Sequence, residues 1–125
     1  MAGYTAPTEQ LVIEVHVRDI ERSRAFYKRL GFRVIQDEGT FVRLAWDDHH
    51  FMLDEHKDLP PPPSQLRSNL RILVPNVDDY WGLVNDMGAR IVLPIGNRHG
   101  LRYFIFVDPD GFGLRFATKL PPAET

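Results

Sequence analysis

The apolar and polar positions of this chain follow one pattern twice. Apolar residues alternate with other residues over 12–17, then recur at helical spacing up to Gly31, and the same order runs from Asn69 to Gly88. Val12 and Asn69 are 57 residues apart, as are the two glycines, so strand, helix start and helix end share one register. A repeat of this kind indicates two equivalent supersecondary units.

The first copy predicts a βαβββ unit. Period-two alternation over residues 12–17 is typical of a strand with one buried face. Asp19 is placed to cap the following helix, and Gly31 can adopt the positive φ that ends it. Three more apolar segments predict strands at 32–36, 41–46 and 51–55. Between the last two strands, His49 and His50 are predicted to lie in a hairpin turn.

The second copy repeats this order after a proline-rich linker. Asn76, with Asp79 three residues later, resembles a capping box. The predicted strands are 69–74, 90–93, 102–107 and 112–116, with a turn at 108–111. An insertion in 94–100 changes the offset from 57 to 61, which matches Trp46 with Val107 and Asp54 with Arg115. We expect one domain, made of modules 10–56 and 69–118 joined by linker 57–68.

Composition narrows the function. The chain of 125 residues has 43% hydrophobic and 26% charged residues and a net charge of −2, which is typical of a soluble globular domain and argues against nucleic-acid binding. It has no cysteine, which excludes disulfides and thiolate chemistry. No apolar run approaches the ~20 residues of a membrane span, so we expect a cytoplasmic protein without a membrane partner.

Specific segments resemble the vicinal oxygen chelate superfamily, which includes glyoxalase I, extradiol dioxygenases, and fosfomycin- and bleomycin-resistance proteins. They are residues 17–27 with 30–32, and residues 100–104, 108–111 and 114–116. The second set is most similar to the bleomycin-resistance-like branch, associated with antibiotic resistance. The resemblance implies an α+β fold in which two βαβββ modules form curved mixed sheets around a cavity. It also implies a homodimer.

The resemblance further implies metal ligands at four positions, which correspond here to Val12, Asp54, Asn69 and Arg115. Valine has no lone pair to donate, and arginine is a permanent cation. The sequence therefore predicts no metal and no cofactor at these positions. A displaced set that includes Glu14, His16 and His56 stays open, as does Glu55 in place of Asp54.

Strand alternation and the repeat predict which residues line the cavity. The predicted ligand-binding residues are Glu14, His16, Trp46, Asp54, Asn69, Arg71, Phe104 and Arg115. Glu14 with Arg71 and Asp54 with Arg115 form pairs of opposite charge, which either orient a ligand or act as internal salt bridges. The aromatic residues either stack on the ligand or pack in the core.

We expect a metal-independent protein that binds a small amphipathic or aromatic molecule, which need not be bleomycin. The alternative is an enzyme: a metal-dependent lyase, isomerase or dioxygenase with displaced ligands, or a metal-free catalyst with Glu14 or His16 as base. A third interpretation is an assembly or regulatory module without a ligand. The fold cannot choose among them, because one scaffold hosts several chemistries.

Overall fold

A computed structural model describes residues 3–122, which form two compact units divided between Pro61 and Pro62. The first unit has two helices and four strands. They are α1 (Pro7–Gln10), β1 (Ile13–Val17), α2 (Ile20–Leu30), β2 (Arg33–Asp37), β3 (Phe41–Trp46) and β4 (His49–Glu55). The short helix α1 was not predicted from the sequence.

The second unit has one helix and four strands. They are β5 (Asn69–Leu73), α3 (Val77–Asp86), β6 (Ile91–Arg98), β7 (Leu101–Val107) and β8 (Gly113–Lys119). The strand order is β1-β4-β3-β2 in the first sheet and β5-β8-β7-β6 in the second. In each sheet the first and last strands of the unit pair in parallel and the others pair antiparallel. The predicted α+β fold with tandem βαβββ modules is confirmed.

The predicted helix starts are confirmed. Asp19 accepts a hydrogen bond from the backbone N–H of Arg22 at 3.2 Å, and Asn76 accepts one from the N–H of Asp78 at 3.3 Å. Gly31 ends α2 with φ of 119°. The end of α3 lies one residue earlier than predicted, because Met87 closes the last turn and Gly88, with φ of 73°, follows it.

A side chain from the last strand of each sheet provides a second cap for the helix. In the first unit the carboxylate of Glu55 accepts from the N–H of Ile20 at 3.0 Å. In the second unit the hydroxyl of Thr118 accepts from the N–H of Val77 at 2.8 Å and donates to the carbonyl of Val74. Because Ile20 and Val77 are counterparts in the repeat, Glu55 and Thr118 are counterparts as well.

Strand pairing corrects the predicted match between the last strands. Arg71 pairs with Arg115, whereas Glu14, the counterpart of Arg71, pairs with Met52. Met52, and not Asp54, is therefore the counterpart of Arg115, and the offset there is 63 residues instead of 61. The difference has two sources. The insertion before β7 and the turn between β7 and β8 are each one residue longer than predicted.

Two predicted loops are strands. His49 and His50 were placed in a hairpin turn, but they begin β4 and pair with Trp46 and Ala45. The insertion at 94–100 was expected outside the sheet, yet β6 continues through Arg98. Its pairing with β7 shifts twice, so bulges accommodate the extra residues within the sheet.

The proline-rich segment is held at both ends. The guanidinium group of Arg18 donates to the carbonyls of Leu59 at 2.5 Å and Pro60 at 3.0 Å within the first unit. In the second unit, Pro62 lies so close to Gly111, which has φ of 93°, that a Cβ there would collide with the proline ring. Glycine is required at this turn for both reasons.

In each unit the long helix covers one face of the sheet. Tyr27 of α2 contacts the rings of Phe32 and Phe51, and Trp81 of α3 contacts the ring of Phe104. Side chains alternate along a strand, so the intervening residues point away from the helix. We call that side of each sheet its distal face. Within residues 3–122, none of the helices has the length and apolar character needed to cross a membrane.

Candidate functional site

Polar side chains collect on the distal face of the first sheet. Glu14 pairs with Met52, and His16 pairs with Asp54, on the parallel strands β1 and β4. Residues paired in this way point to the same side of a sheet. Val15 and Val17 between them are buried on the helix side. Strand register therefore brings together polar groups that are 38 residues apart in the chain.

Three of these side chains form a cluster, defined as His16, Asp54 and His56. The Nε2 atom of His56 lies 3.1 Å from a carboxylate oxygen of Asp54, and the rings of His16 and His56 stack with centroids 3.9 Å apart. Each residue offers one ligand atom, and these atoms lie within 4.8 Å of one another. His56 follows β4 directly and its backbone N–H donates to the carbonyl of Val17 at 2.7 Å, which holds it in register.

A second carboxylate adjoins this cluster. An oxygen of Glu14 lies 3.6 Å from Nε2 of His16. The side chains of His16, Glu14, His56 and Asp54 are 48%, 44%, 41% and 34% exposed, respectively. They are therefore accessible in this unit and have room to reorient.

The same face contains buried polar atoms with unsatisfied hydrogen-bonding capacity. In the part of the chain that the structure describes, a terminal nitrogen of Arg43 and Nδ1 of His50 are buried without a hydrogen-bond partner. Arg43 pairs with Met52, and His50 lies two residues before Met52 on β4, so all three point to the same face. Unsatisfied buried polar atoms cost free energy, which makes them candidates for ligand contacts.

The distal face of the second sheet is cationic and aromatic. Arg71 and Arg115 are paired on β5 and β8. The guanidinium carbon of Arg115 lies 4.7 Å from the ring centroid of Tyr103, and that of Arg98 lies 5.1 Å from the same centroid. A Cβ on Gly96 would come within 2.8 Å of the Arg98 guanidinium, so the glycine makes room for it.

Arg71 and Arg115 have no acidic partner among the described residues of the second unit. Within the described part of the second unit, Arg71 has neither a hydrogen bond nor an ion pair. The Nε atom of Arg115 is buried there without a hydrogen-bond partner. Like charges on directly paired positions are destabilising. By contrast, Arg102 on β7 contacts Asp78 at 2.9 Å, and its hydrogen bonds lower the pKa of that carboxyl. Among the described residues of this unit, Arg102 therefore has an acidic partner, whereas Arg71 and Arg115 do not.

The structure separates the predicted site residues into two groups. Glu14, His16, Asp54, Arg71 and Arg115 lie on the distal faces, and Asn69 is exposed at the start of β5. The other two require correction.

Trp46 and Phe104 lie on the helix sides. The ring of Trp46 packs against Phe32 at 5.1 Å, and Phe104 is 0% exposed beneath Trp81. Each lies two residues from a buried residue of its own strand and therefore points to the same side, so the core-packing interpretation applies to both. Tyr103, one residue before Phe104, occupies the distal face instead. The alternation of side chains between the two faces of β7 is the sequence signal that would have selected Tyr103 instead of Phe104.

The observed strand register changes which residues occupy the metal positions implied by the resemblance. They become Val12 and Met52 in the first unit and Asn69 and Arg115 in the second. An aliphatic side chain, a thioether, an amide and a guanidinium do not form a set that holds a hard or borderline divalent ion. The residues present therefore do not fit a metal at these positions.

Comparisons with known proteins agree with this architecture. The model of the Glyoxalase/Bleomycin resistance protein/Dioxygenase superfamily matches residues 10–116. The chain therefore belongs to this superfamily. No curated protein matches the sequence.

Solved structures give the same fold. A glyoxalase/dioxygenase from Nostoc punctiforme is 20% identical with a TM-score of 0.79, covering 97% of this chain and 99% of that one. A protein of unknown function from Agrobacterium tumefaciens is 24% identical with a TM-score of 0.77, covering 94% and 98%. A glyoxalase/bleomycin resistance protein/dioxygenase from Alicyclobacillus acidocaldarius is 15% identical with a TM-score of 0.72, covering 93% and 95%. At these identities the likeness establishes the fold alone.

Proposed function

We propose that this protein binds a small organic anion with an apolar or aromatic part, held without a metal at the superfamily's usual positions. The observation that carries the proposal is the Arg71–Arg115 pair on the distal face of the second sheet. Two arginines at directly paired positions, without an acidic partner among the described residues of their unit, favour an anionic ligand, because the ligand relieves the repulsion of like charges.

The surroundings of Arg115 supply the rest of the ligand description. Its guanidinium stacks on the ring of Tyr103, which holds the group in place through a cation–π contact. A preoriented guanidinium forms two parallel hydrogen bonds with a carboxylate or a phosphate. Tyr103 also adds aromatic surface beside the charge. A carboxylate or phosphate joined to a flat apolar group is the ligand class that these contacts favour.

The test is calorimetric titration with naphthalene-2-carboxylate, in a buffer that contains EDTA. We expect saturable binding at one site per chain. Arg115→Gln should weaken binding at least tenfold, and Arg115→Lys, which keeps the charge without the fork, should weaken it less. Arg67→Gln, an exposed arginine of the linker, is the matched control and should bind like the original protein.

Two outcomes would contradict the proposal. One is the absence of saturable binding of naphthalene-2-carboxylate and of inorganic phosphate. The other is equal affinity in the Arg115→Gln and Arg67→Gln variants. Circular dichroism and thermal unfolding of each variant separate lost binding from lost folding.

A second candidate function is metal-dependent lyase, isomerase or dioxygenase chemistry with displaced ligands. The specific observation that favours it is the His16–Asp54–His56 cluster. Its activity would depend on an added divalent metal and be lost in Asp54→Asn. Anion binding in EDTA would persist in that variant, so the two candidates give different results.

A further inference from the structure

We infer that His16, Asp54 and His56 form a binding site for a divalent transition-metal ion, built entirely from the first unit. The site lies outside the positions at which the superfamily resemblance places a metal. The inference goes beyond the anion binding proposed above and does not depend on it.

The donor set suits such an ion. Two imidazoles and one carboxylate are the ligands of many zinc and iron(II) sites, in which the remaining coordination positions stay open. Imidazole nitrogens disfavour Mg²⁺ and Ca²⁺, which prefer oxygen ligands. Glu14, 3.6 Å from His16, places a further oxygen donor next to the three.

The spacing is close to what coordination requires. Donor atoms bound to one ion at about 2.0–2.2 Å lie roughly 3–3.5 Å apart, and the three ligand atoms here lie within 4.8 Å of one another. Closing this gap takes rotation of the two imidazoles out of their stack. The side chains of both histidines are nearly half exposed, which leaves space for this rotation.

The charges around the cluster also favour a cation. Within the first unit, none of the described lysines or arginines forms an ion pair with Glu14 or Asp54. Glu14 lies beside His16, and Asp54 lies beside His56. Binding an ion with two positive charges would relieve the repulsion between the two carboxylates.

The cluster belongs to one copy of the repeat only. At the corrected register, the counterparts of His16, Asp54 and His56 are Leu73, Ala117 and Lys119. None of these three side chains is a metal ligand of the required type. The second unit therefore serves as an internal comparison, since the same backbone arrangement occurs there without the donors.

The test uses protein stripped with EDTA and dialysed, then titrated with Zn²⁺ and with Co²⁺ by calorimetry. We expect one ion per chain. His16→Ala and Asp54→Asn should each weaken binding by at least tenfold, because each removes a ligand. Histidine ring signals in NMR spectra should move for His16 and His56 on adding Zn²⁺.

His49→Ala is the matched control, because His49 is an exposed histidine on the same strand outside the cluster. It should bind both metals like the original protein. The inference is overturned if neither ion binds, or if His16→Ala and Asp54→Asn bind as tightly as His49→Ala. Titration of the metal-free protein with naphthalene-2-carboxylate reports on anion binding separately, so either proposal can fail alone.

Discussion

At one set of equivalent core positions, the two units place their large side chains in different layers. At these positions the first unit has its large side chain on the helix, where Tyr27 is 0% exposed, and has Val42 and Leu53 on the strands. In the second unit the helix contributes Val84 at the position of Tyr27, and the strands contribute aromatic residues. Those aromatic residues are Phe104, Phe106 and Phe116.

At these positions, bulk that is missing from the helix of the second unit is present on its strands. Phe104 and Phe116 are the counterparts of Val42 and Leu53 in the strand register. A large residue on the helix with small ones on the sheet fills the same space as the reverse, because interiors are close-packed. The duplicated backbone therefore tolerates divergence in each layer, provided that the other layer compensates.

The distal faces differ in chemistry instead of volume. The first carries histidines and carboxylates, and the second carries Arg71 and Arg115 beside Tyr103. Packing does not constrain these positions to be apolar, so they could diverge toward different ligands. We propose a cation as the ligand of the first face and an anion as the ligand of the second.

The largest effect is expected from truncating the aromatic core. Phe104→Ala should lower the free energy of unfolding by about 3–5 kcal/mol, because a fully buried ring leaves a cavity. Val42→Ala, at the equivalent position of the first unit, should cost about 2 kcal/mol. Urea denaturation followed by circular dichroism measures both. Equal losses would show that the two cores do not distribute their bulk as described.

A smaller effect is expected from the glycines that follow the helices. Gly31→Ala should cost about 2–3 kcal/mol, since its φ of 119° strains any side chain and its Cβ would lie 3.2 Å from the Trp46 ring. Gly88→Ala, at φ of 73° with open space around it, should cost about 1 kcal/mol. Thermal unfolding ranks the two variants. The reverse order would contradict the close approach of Trp46.

The loss of each helix cap that comes from a sheet, Glu55 or Thr118, should lower the free energy of unfolding by a modest and different amount. Thr118→Val leaves the N–H of Val77 without its acceptor and should cost about 1–2 kcal/mol. Glu55→Gln keeps an acceptor for the N–H of Ile20 and should cost less than about 1 kcal/mol. Chemical denaturation compares these variants. A larger loss for Glu55→Gln would mean that the charge of Glu55, and not its acceptor, stabilises α2.

The smallest effect concerns pH and the ion pair that links α3 to β7. Hydrogen bonds from Arg102 lower the pKa of the Asp78 carboxyl below its ordinary value. A carboxyl with a lowered folded-state pKa adds stability above its unfolded pKa, and this stability is lost as pH falls through the folded pKa. NMR titration of Asp78 below pH 4 should detect the shift. Arg102→Gln should return the pKa to its ordinary value.

The duplicated strand and helix pattern was readable from the chain because it depends on local rules. Alternation of apolar residues predicted β1 and β5, and Asp19 and Gly31 predicted both ends of α2. The loops were less predictable. Bulges in β6 absorb inserted residues, and the turn between β7 and β8 holds one more residue than its counterpart, so the apolar pattern did not predict the true counterpart of Asp54.

The site depended still more on tertiary structure. Sequence alternation selected Glu14, His16 and Arg71, because residues within one strand share a face by simple parity. It could not bring His16 against Asp54 and His56, since that contact depends on how two distant strands pair. By itself the sequence determined the superfamily, the order of elements within the two βαβββ modules and the unsuitability of Val12 and Arg115 as metal ligands. Only strand register, a non-local property, decided which donors meet.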